Sequence, residues 1–217
     1  MEETKISQEN WFYRLAKLVR RDILPVDNIE HAEQAVDAVA FLYSGLLALI
    51  GLVWLALVTD WELFITHWWM FVTAAAIWYL LSRLKFYMIA DMTFQDGPGY
   101  ANAEGNFETV ARWSSVLILG PGALWIGVVF GLVSYLPRVF KSSALNRTAL
   151  LNERWSMLRN MTFNLDAESF LPLITLSLYQ LAGGVLPLQE LTWLILLRFI
   201  GLLLVQMFLE VIFLWCG

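Results

Sequence analysis

AVAFLYSGLLALIGLVWLALV, residues 38–58, is a run without a charged side chain. A bilayer core takes roughly 20 helical residues, and a helix apolar all round has no face left for water. This run therefore reads as a first membrane span. Thr59 and Asp60 make a tight turn, and a second apolar run follows over residues 61–81. Trp54, Trp61, Trp68, Trp69 and Trp78 crowd the pair, and the indoles near the turn fit an aromatic belt at an outer interface. Arg83 and Lys85 mark the inner end of the second run.

The composition agrees. The chain is 59% hydrophobic and only 15% charged, with mean hydropathy +0.62, against about 25% charged residues in an ordinary soluble domain. With a net charge of -5 and scattered acids, nothing resembles the basic stripe that neutralises nucleic-acid phosphates. Cys216 is the single cysteine, which excludes an internal disulfide or a multi-cysteine metal site. Residues 1–33 are too polar for a signal-peptide core, so the N-terminus is expected to be retained on the cytoplasmic side. Within residues 1–35, Arg14, Lys17, Arg20 and Arg21 alternate at helical spacing with Trp11, Phe12, Leu15 and Leu18. That segment reads either as an interfacial amphipathic helix or as a basic leader that sets topology. Residues 36–217 form the membrane domain.

Residues 86–108 are mixed, and Asp96-Gly97-Pro98-Gly99 is a loop signal. A third span, 113–136, is interrupted at Gly120, Pro121 and Gly122, which should kink or break the helix. Ala123, Gly127 and Gly131 recur every four residues as a face for close helix packing. Residues 137–160 read as a basic loop, with Arg138, Lys141, Arg147, Arg154 and Arg159. Here the count of crossings fails: with Arg83 inside and one crossing between, this loop would lie outside, against the positive-inside rule. The simplest repair is that residues 84–112 cross or re-enter the membrane as irregular structure. Such backbone is tolerated only when buried in protein or lining a cavity, so this would be the ligand-facing element. The alternative is that one basic cluster breaks the rule. A fourth span, 163–182, and a fifth, 191–215, are joined by the turn from Gly183-Gly184 to Glu190. The expected fold is all-α, a polytopic membrane helix bundle of five clear transmembrane helices plus an irregular or re-entrant sixth crossing, in the cell (inner) membrane with both termini cytoplasmic.

Ionisable residues inside spans are functional candidates by default. Arg198 either snorkels to the outer interface, meets Glu62, or offers its guanidinium fork to an anionic ligand. Asp166 and Glu168 sit in the first turn of the fourth span, where carboxylates complement the helix dipole. They could instead join Glu210 in a proton- or cation-sensitive cluster. His67, beside Trp68 and Trp69, could ligate the metal of a haem or chlorophyll, although a polar residue near the interface is the commoner case. No resident cofactor or metal is expected. Asn146-Arg147-Thr148 and Asn160-Met161-Thr162 match the glycosylation pattern, but an inside location argues against use. No phosphate loop, nucleophile elbow or other catalytic constellation is present.

Leu119-Gly120-Pro121-Gly122-Ala123, then Leu158-Arg159-Asn160, Phe163-Asn164 and Tyr179-Gln180-Leu181-Ala182-Gly183-Gly184, together resemble the membrane sensor (MASE-like) regions of bacterial signalling proteins. In those, an LxxGP helix, a basic loop, a phenylalanine-asparagine helix start and a YxxxGG end precede a cytoplasmic GGDEF or HD-GYP domain. The resemblance covers residues 107–184. It implies a non-catalytic sensory module for a small-molecule or membrane-borne signal, feeding cyclic di-GMP enzymes, in a homodimer or larger membrane assembly. No GGDEF motif or HD pair occurs here, and the histidines are His31 and His67. The output domain would therefore lie beyond Gly217 or in a partner. Two other roles fit the same composition: the small-molecule binding subunit of a transporter, or, from eleven tryptophans and His67, an accessory subunit of a pigment or respiratory complex.

Overall fold

Apolar runs of bilayer length become helices, and the residues between them decide which way each helix points. The structure, a computed structural model, describes residues 11–20, 29–94, 97–141, 147–188, 190 and 192–216. In chain order it contains α1 (Trp11–Val19), α2 (Ile29–Val58), α3 (Trp61–Thr66), α4 (Trp68–Arg83), strands β1 (Lys85–Phe94) and β2 (Gly97–Asn106), α5 (Glu108–Leu119), a 3-10 turn (Pro121–Ala123), α6 (Leu124–Lys141), α7 (Arg147–Glu168), α8 (Phe170–Leu181) and α9 (Trp193–Cys216). The helical class holds. The strand pair falls within the stretch read as irregular, as an antiparallel hairpin in register from Lys85 opposite Asn106 to Phe94 opposite Gly97.

Among the described residues two stretches, Gln34–Val58 and Pro121–Phe140, are long and apolar enough to cross a membrane, and Trp193–Leu209 is a shorter apolar stretch. In the most apolar 18 residues of each longer stretch, only 22% and 33% are buried inside the bundle. Leu46, Leu49, Ile50, Val53 and Leu57 of α2 accordingly point outward.

The second apolar run is two helices rather than one. Asp60 caps α3 by accepting the Leu63 N–H at 2.9 Å. The chain bends at His67, which lets Phe64 pack on Phe71 with centroids 4.5 Å apart and Trp61 approach Trp125 at 6.1 Å. α4 then descends from the Asp60 end of the bundle to Arg83. Because Lys85 and Asn106 face one another in the hairpin, the chain re-emerges beside the point where it left, and residues 85–106 make no net crossing of the bundle.

The reversal lies elsewhere. Gly120 has φ +75° and ψ -170°, a region essentially reserved for glycine, and Pro121 follows at the start of the 3-10 turn. The expected single span 113–136 is therefore two antiparallel helices. The start of α5 lies near α4's lower half, with Arg112 against Trp78, while the Leu117 carbonyl accepts from Leu188 N–H at 2.7 Å at the opposite end. α6 begins at that opposite end, where Trp125 Nε1 donates to Thr59 Oγ1 at 3.0 Å. It returns toward Arg83, with Phe130 beside Trp78 and Tyr79.

The segment read as a basic loop, 137–160, is mostly helix. α6 continues to Lys141 and α7 starts at Arg147, because Ala149, Leu150, Leu151, Glu153, Arg154 and Leu158 are strong helix formers. α7 runs parallel to α2. Ser44 and Thr162 hydroxyls meet at 2.6 Å, Arg159 pairs with Asp37, and the absence of a side chain at Gly51 admits Ser169 and Phe170. α1 closes the basic end, burying Tyr13 and Ala16 against Ala35 and Ala38. Arg20, the residue after it, donates to Asn152 and stacks over Trp155, so this part of the N-terminal segment packs on the bundle.

α7 breaks at Ser169, three residues before Pro172. Proline lacks the donor that would reach the Glu168 carbonyl four residues back, and its ring crowds that carbonyl. α8 ends in a Schellman cap: Gly184 N–H reaches Tyr179 O and Gly183 N–H reaches Gln180 O, each at 2.9 Å. α9 returns antiparallel, with Thr175 donating to Gln206 Oε1 at 2.6 Å.

A Gly120→Ala substitution meets no neighbouring atom within 4 Å, so its cost is backbone strain alone, about 1–3 kcal/mol. Thermal unfolding of purified protein should show that loss, whereas Gly201→Ala, in open space on α9, should leave stability unchanged or slightly raised.

Candidate functional site

Where α4, α5, α6 and α7 come together toward the basic end, they leave a cleft of about 470 Å³. Tyr79, Ser82 and Arg83 enter it from α4, Glu108 from α5, Ser134, Tyr135 and Arg138 from α6, and Asn164 and Glu168 from α7. Two further cavities lie among the described residues, the first of them nearly all apolar. One of about 310 Å³ is a groove between α4 and α5, and one of about 280 Å³ at the Asp60 end is walled by Trp54, Phe71, Leu119 and Leu173.

The polar wall rests on the glycine stripe of α6. A Cβ at Gly127 would collide with the Glu168 carboxylate, and one at Gly131 with the Asn164 carboxamide. Gly127 and Gly131, expected as a helix-packing face, thus make room for two polar side chains one turn apart on α7. Glu168 receives a charge-assisted hydrogen bond from Arg112 of α5, with 4% and 9% of the two side chains exposed. The Arg112 guanidinium also lies 5.9 Å from the centre of the fully buried Trp78 ring. A buried ion pair recovers its desolvation cost only when both partners are present.

At the rim, Arg83 donates to Tyr79 Oη at 2.8 Å and lies 5.0 Å over that ring. Arg138 lies 5.9 Å over Tyr135. Residues one helical turn apart share a face, so each arginine is steadied by the tyrosine on its own helix.

The expected site residues are dispersed. Arg198 donates to the Gly183 carbonyl at 2.6 Å; it caps α8, where a cation is favoured, rather than meeting Glu62, which is exposed in the first turn of α3. His67 joins α3 to α4, with Nδ1 buried and unpartnered. Among the described residues no group of His, Cys, Asp or Glu is arranged to hold a metal.

Asp166 and Glu168 lie in the last turn of α7, not the first turn of a span. The helix starts at Arg147, so the dipole argument made for them does not apply. Two residues apart, they project to opposite sides of the helix, and no carboxylate cluster forms between them. Asp166 is buried with Oδ1 lacking a hydrogen-bond partner. Glu210 belongs to α9, with its side chain outside the described residues. Asn164 entered the sequence reading only within the Phe163-Asn164 pair, and Arg112 was not singled out; the available signal for it was a charged residue five positions after Phe107, on the apolar helix leading into Gly120.

No protein-family model matches the chain, nor does any curated protein or solved structure.

Replacing Arg112 by Met removes the guanidinium that faces the Glu168 carboxylate in the interior and should cost about 3–5 kcal/mol. The double variant Arg112→Met/Glu168→Met should recover most of that loss. Chemical or thermal denaturation of both proteins checks it, and equal losses would mean that the ion pair contributes nothing specific.

Proposed function

We propose that the chain is a six-pass membrane recognition module without catalytic chemistry of its own, which takes a small polar ligand into the cleft between α4, α5, α6 and α7. The observation that carries this is a cleft whose wall holds the buried Arg112–Glu168 pair beside further hydrogen-bonding side chains, since ionisable groups inside spans are costly and mark ligand or ion sites.

The count of passes follows from helix direction. α2 leads away from the basic end, α4 returns, α5 leads away, α6 returns, α7 with α8 leads away, and α9 returns. Arg83, Lys85, Arg138, Lys141, Arg147, Arg154 and Arg159 then fall toward one side, as the positive-inside rule asks. The missing crossing is supplied by the turn at Gly120 to Gly122, not by residues 84–112. Low burial of the two longest apolar stretches supports lipid contact, because the core helix of a soluble protein hides its apolar surface. α5, with 12 residues and a length of about 18 Å, and α4, with 16 residues and about 24 Å, are too short to span a bilayer core unaided.

The resemblance to bacterial sensor regions over residues 107–184 supports signalling input as the module's task, with occupancy of the cleft passed to an output domain or partner of the cyclic di-GMP kind.

Cysteine accessibility in a Cys216→Ser background tests the architecture. Reporters at Glu62 and Val185 should label from one side of the membrane, and reporters at Gly99 and Lys141 from the other; Gly99 and Lys141 on opposite sides would overturn the six-pass reading. A Ser134→Cys reporter in the cleft wall tests recognition. Its reaction with an impermeant maleimide should slow when small-molecule or lipid fractions of a cell extract are added, with Glu62→Cys unaffected. Uniform rates across all fractions would remove the recognition role.

A further inference from the structure

We propose that the cleft binds a phosphate-bearing anion, held between the guanidinium groups of Arg83 and Arg138; this deepens the recognition reading and rests on it. Arg83 and Arg138 line one cleft from two different helices. Neither has a carboxylate partner among the described residues, and each is steadied by a tyrosine instead.

The two acids on the lining do not cancel them. Glu168 is held by Arg112, which leaves Glu108 as one carboxylate against the two guanidiniums. The balance at the rim is therefore positive. Beside the arginines stand the Ser82 hydroxyl and the Asn164 carboxamide, groups that donate hydrogen bonds to an oxyanion.

Two guanidinium forks arriving from separate helices select among anions. A carboxylate has two oxygens and is satisfied by one fork, whereas a tetrahedral phosphate has oxygens to offer both forks and hydroxyl donors at once. A volume of about 470 Å³ lies within the range of roughly 300–1,000 Å³ typical of small-molecule sites. On the six-pass reading the rim faces the headgroup level of one leaflet. The same phosphate chemistry can arrive on a phospholipid or on a water-soluble phosphate ester.

The test uses the full chain in maltoside micelles, which carry no phosphate, with the Ser134→Cys reporter in the Cys216→Ser background. Its labelling rate is measured against glycerol 1-phosphate, phosphatidic acid and, as the phosphate-free lipid, diacylglycerol. The expected result is saturable protection by at least one phosphate probe and none by diacylglycerol. The added pair Arg83→Gln/Arg138→Gln should raise the concentration needed by about tenfold or more, as loss of charge-assisted hydrogen bonds requires. Arg83→Lys/Arg138→Lys should restore part of the affinity.

Protection by phosphatidic acid alone assigns a lipid headgroup, and protection by glycerol 1-phosphate assigns a soluble ester; both support the proposal. Protection by neither, equal protection by diacylglycerol, or unchanged affinity in a glutamine variant with a normal gel-filtration profile overturns it. If cell-extract fractions still protect Ser134→Cys while the phosphate probes do not, the phosphate inference falls and the recognition role stands.

Discussion

With φ at +75° and ψ at -170° on Gly120, and a proline next in line, the chain cannot continue the helix it has just built, and the arrangement of the interior depends on that stop. A simple kink would have carried residues 124–141 onward, away from α4. The reversal turns α6 back on the direction of α5, so Arg112 near the start of one and Gly127 on the other both meet Glu168. The cleft is the space left where four helix segments meet along that arrangement. Its position is a consequence of backbone geometry at a residue that does not line it.

The polar interior is organised by pairing rather than by depth. Arg112 and Glu168 neutralise one another, Ser44 meets Thr162, and Thr175 meets Gln206. Each joins two different helices, so polar groups that would be liabilities in an apolar bundle also fix its register. Asp166, buried with an unpartnered oxygen, departs from that pattern.

Much of the helix layout was legible before any coordinates. A charge-free run marked α2, a long apolar run marked α9, Asp60 marked a turn, and Gly183-Gly184 marked the end of α8. What was not legible was direction. Glycine and proline announce that a helix stops, but the angle at which the chain resumes depends on φ and ψ, so the reversal at Gly120 read as an interruption. The basic residues of α7 signalled topology strongly enough to hide the helix-forming leucines among them. Starting that helix at Phe163 instead of Arg147 moved Asp166 and Glu168 from its last turn to its first. The site suffered most, because Arg112 and Glu168 are 56 positions apart, and no local pattern joins them.

The parallel contact of α2 with α7 has a consequence for how the molecule is made. Ser44 and Thr162 are separated by 118 positions, and Asp37 and Arg159 by 122. Chains emerge from the ribosome N-terminal end first, so α2 exists long before its permanent neighbour has been translated. During that interval its small-residue face, with Ser44, Gly45, Ala48 and Gly51, has no permanent companion. The helices made in between assemble beside a vacant seat, and α7 joins the bundle by filling it late in synthesis.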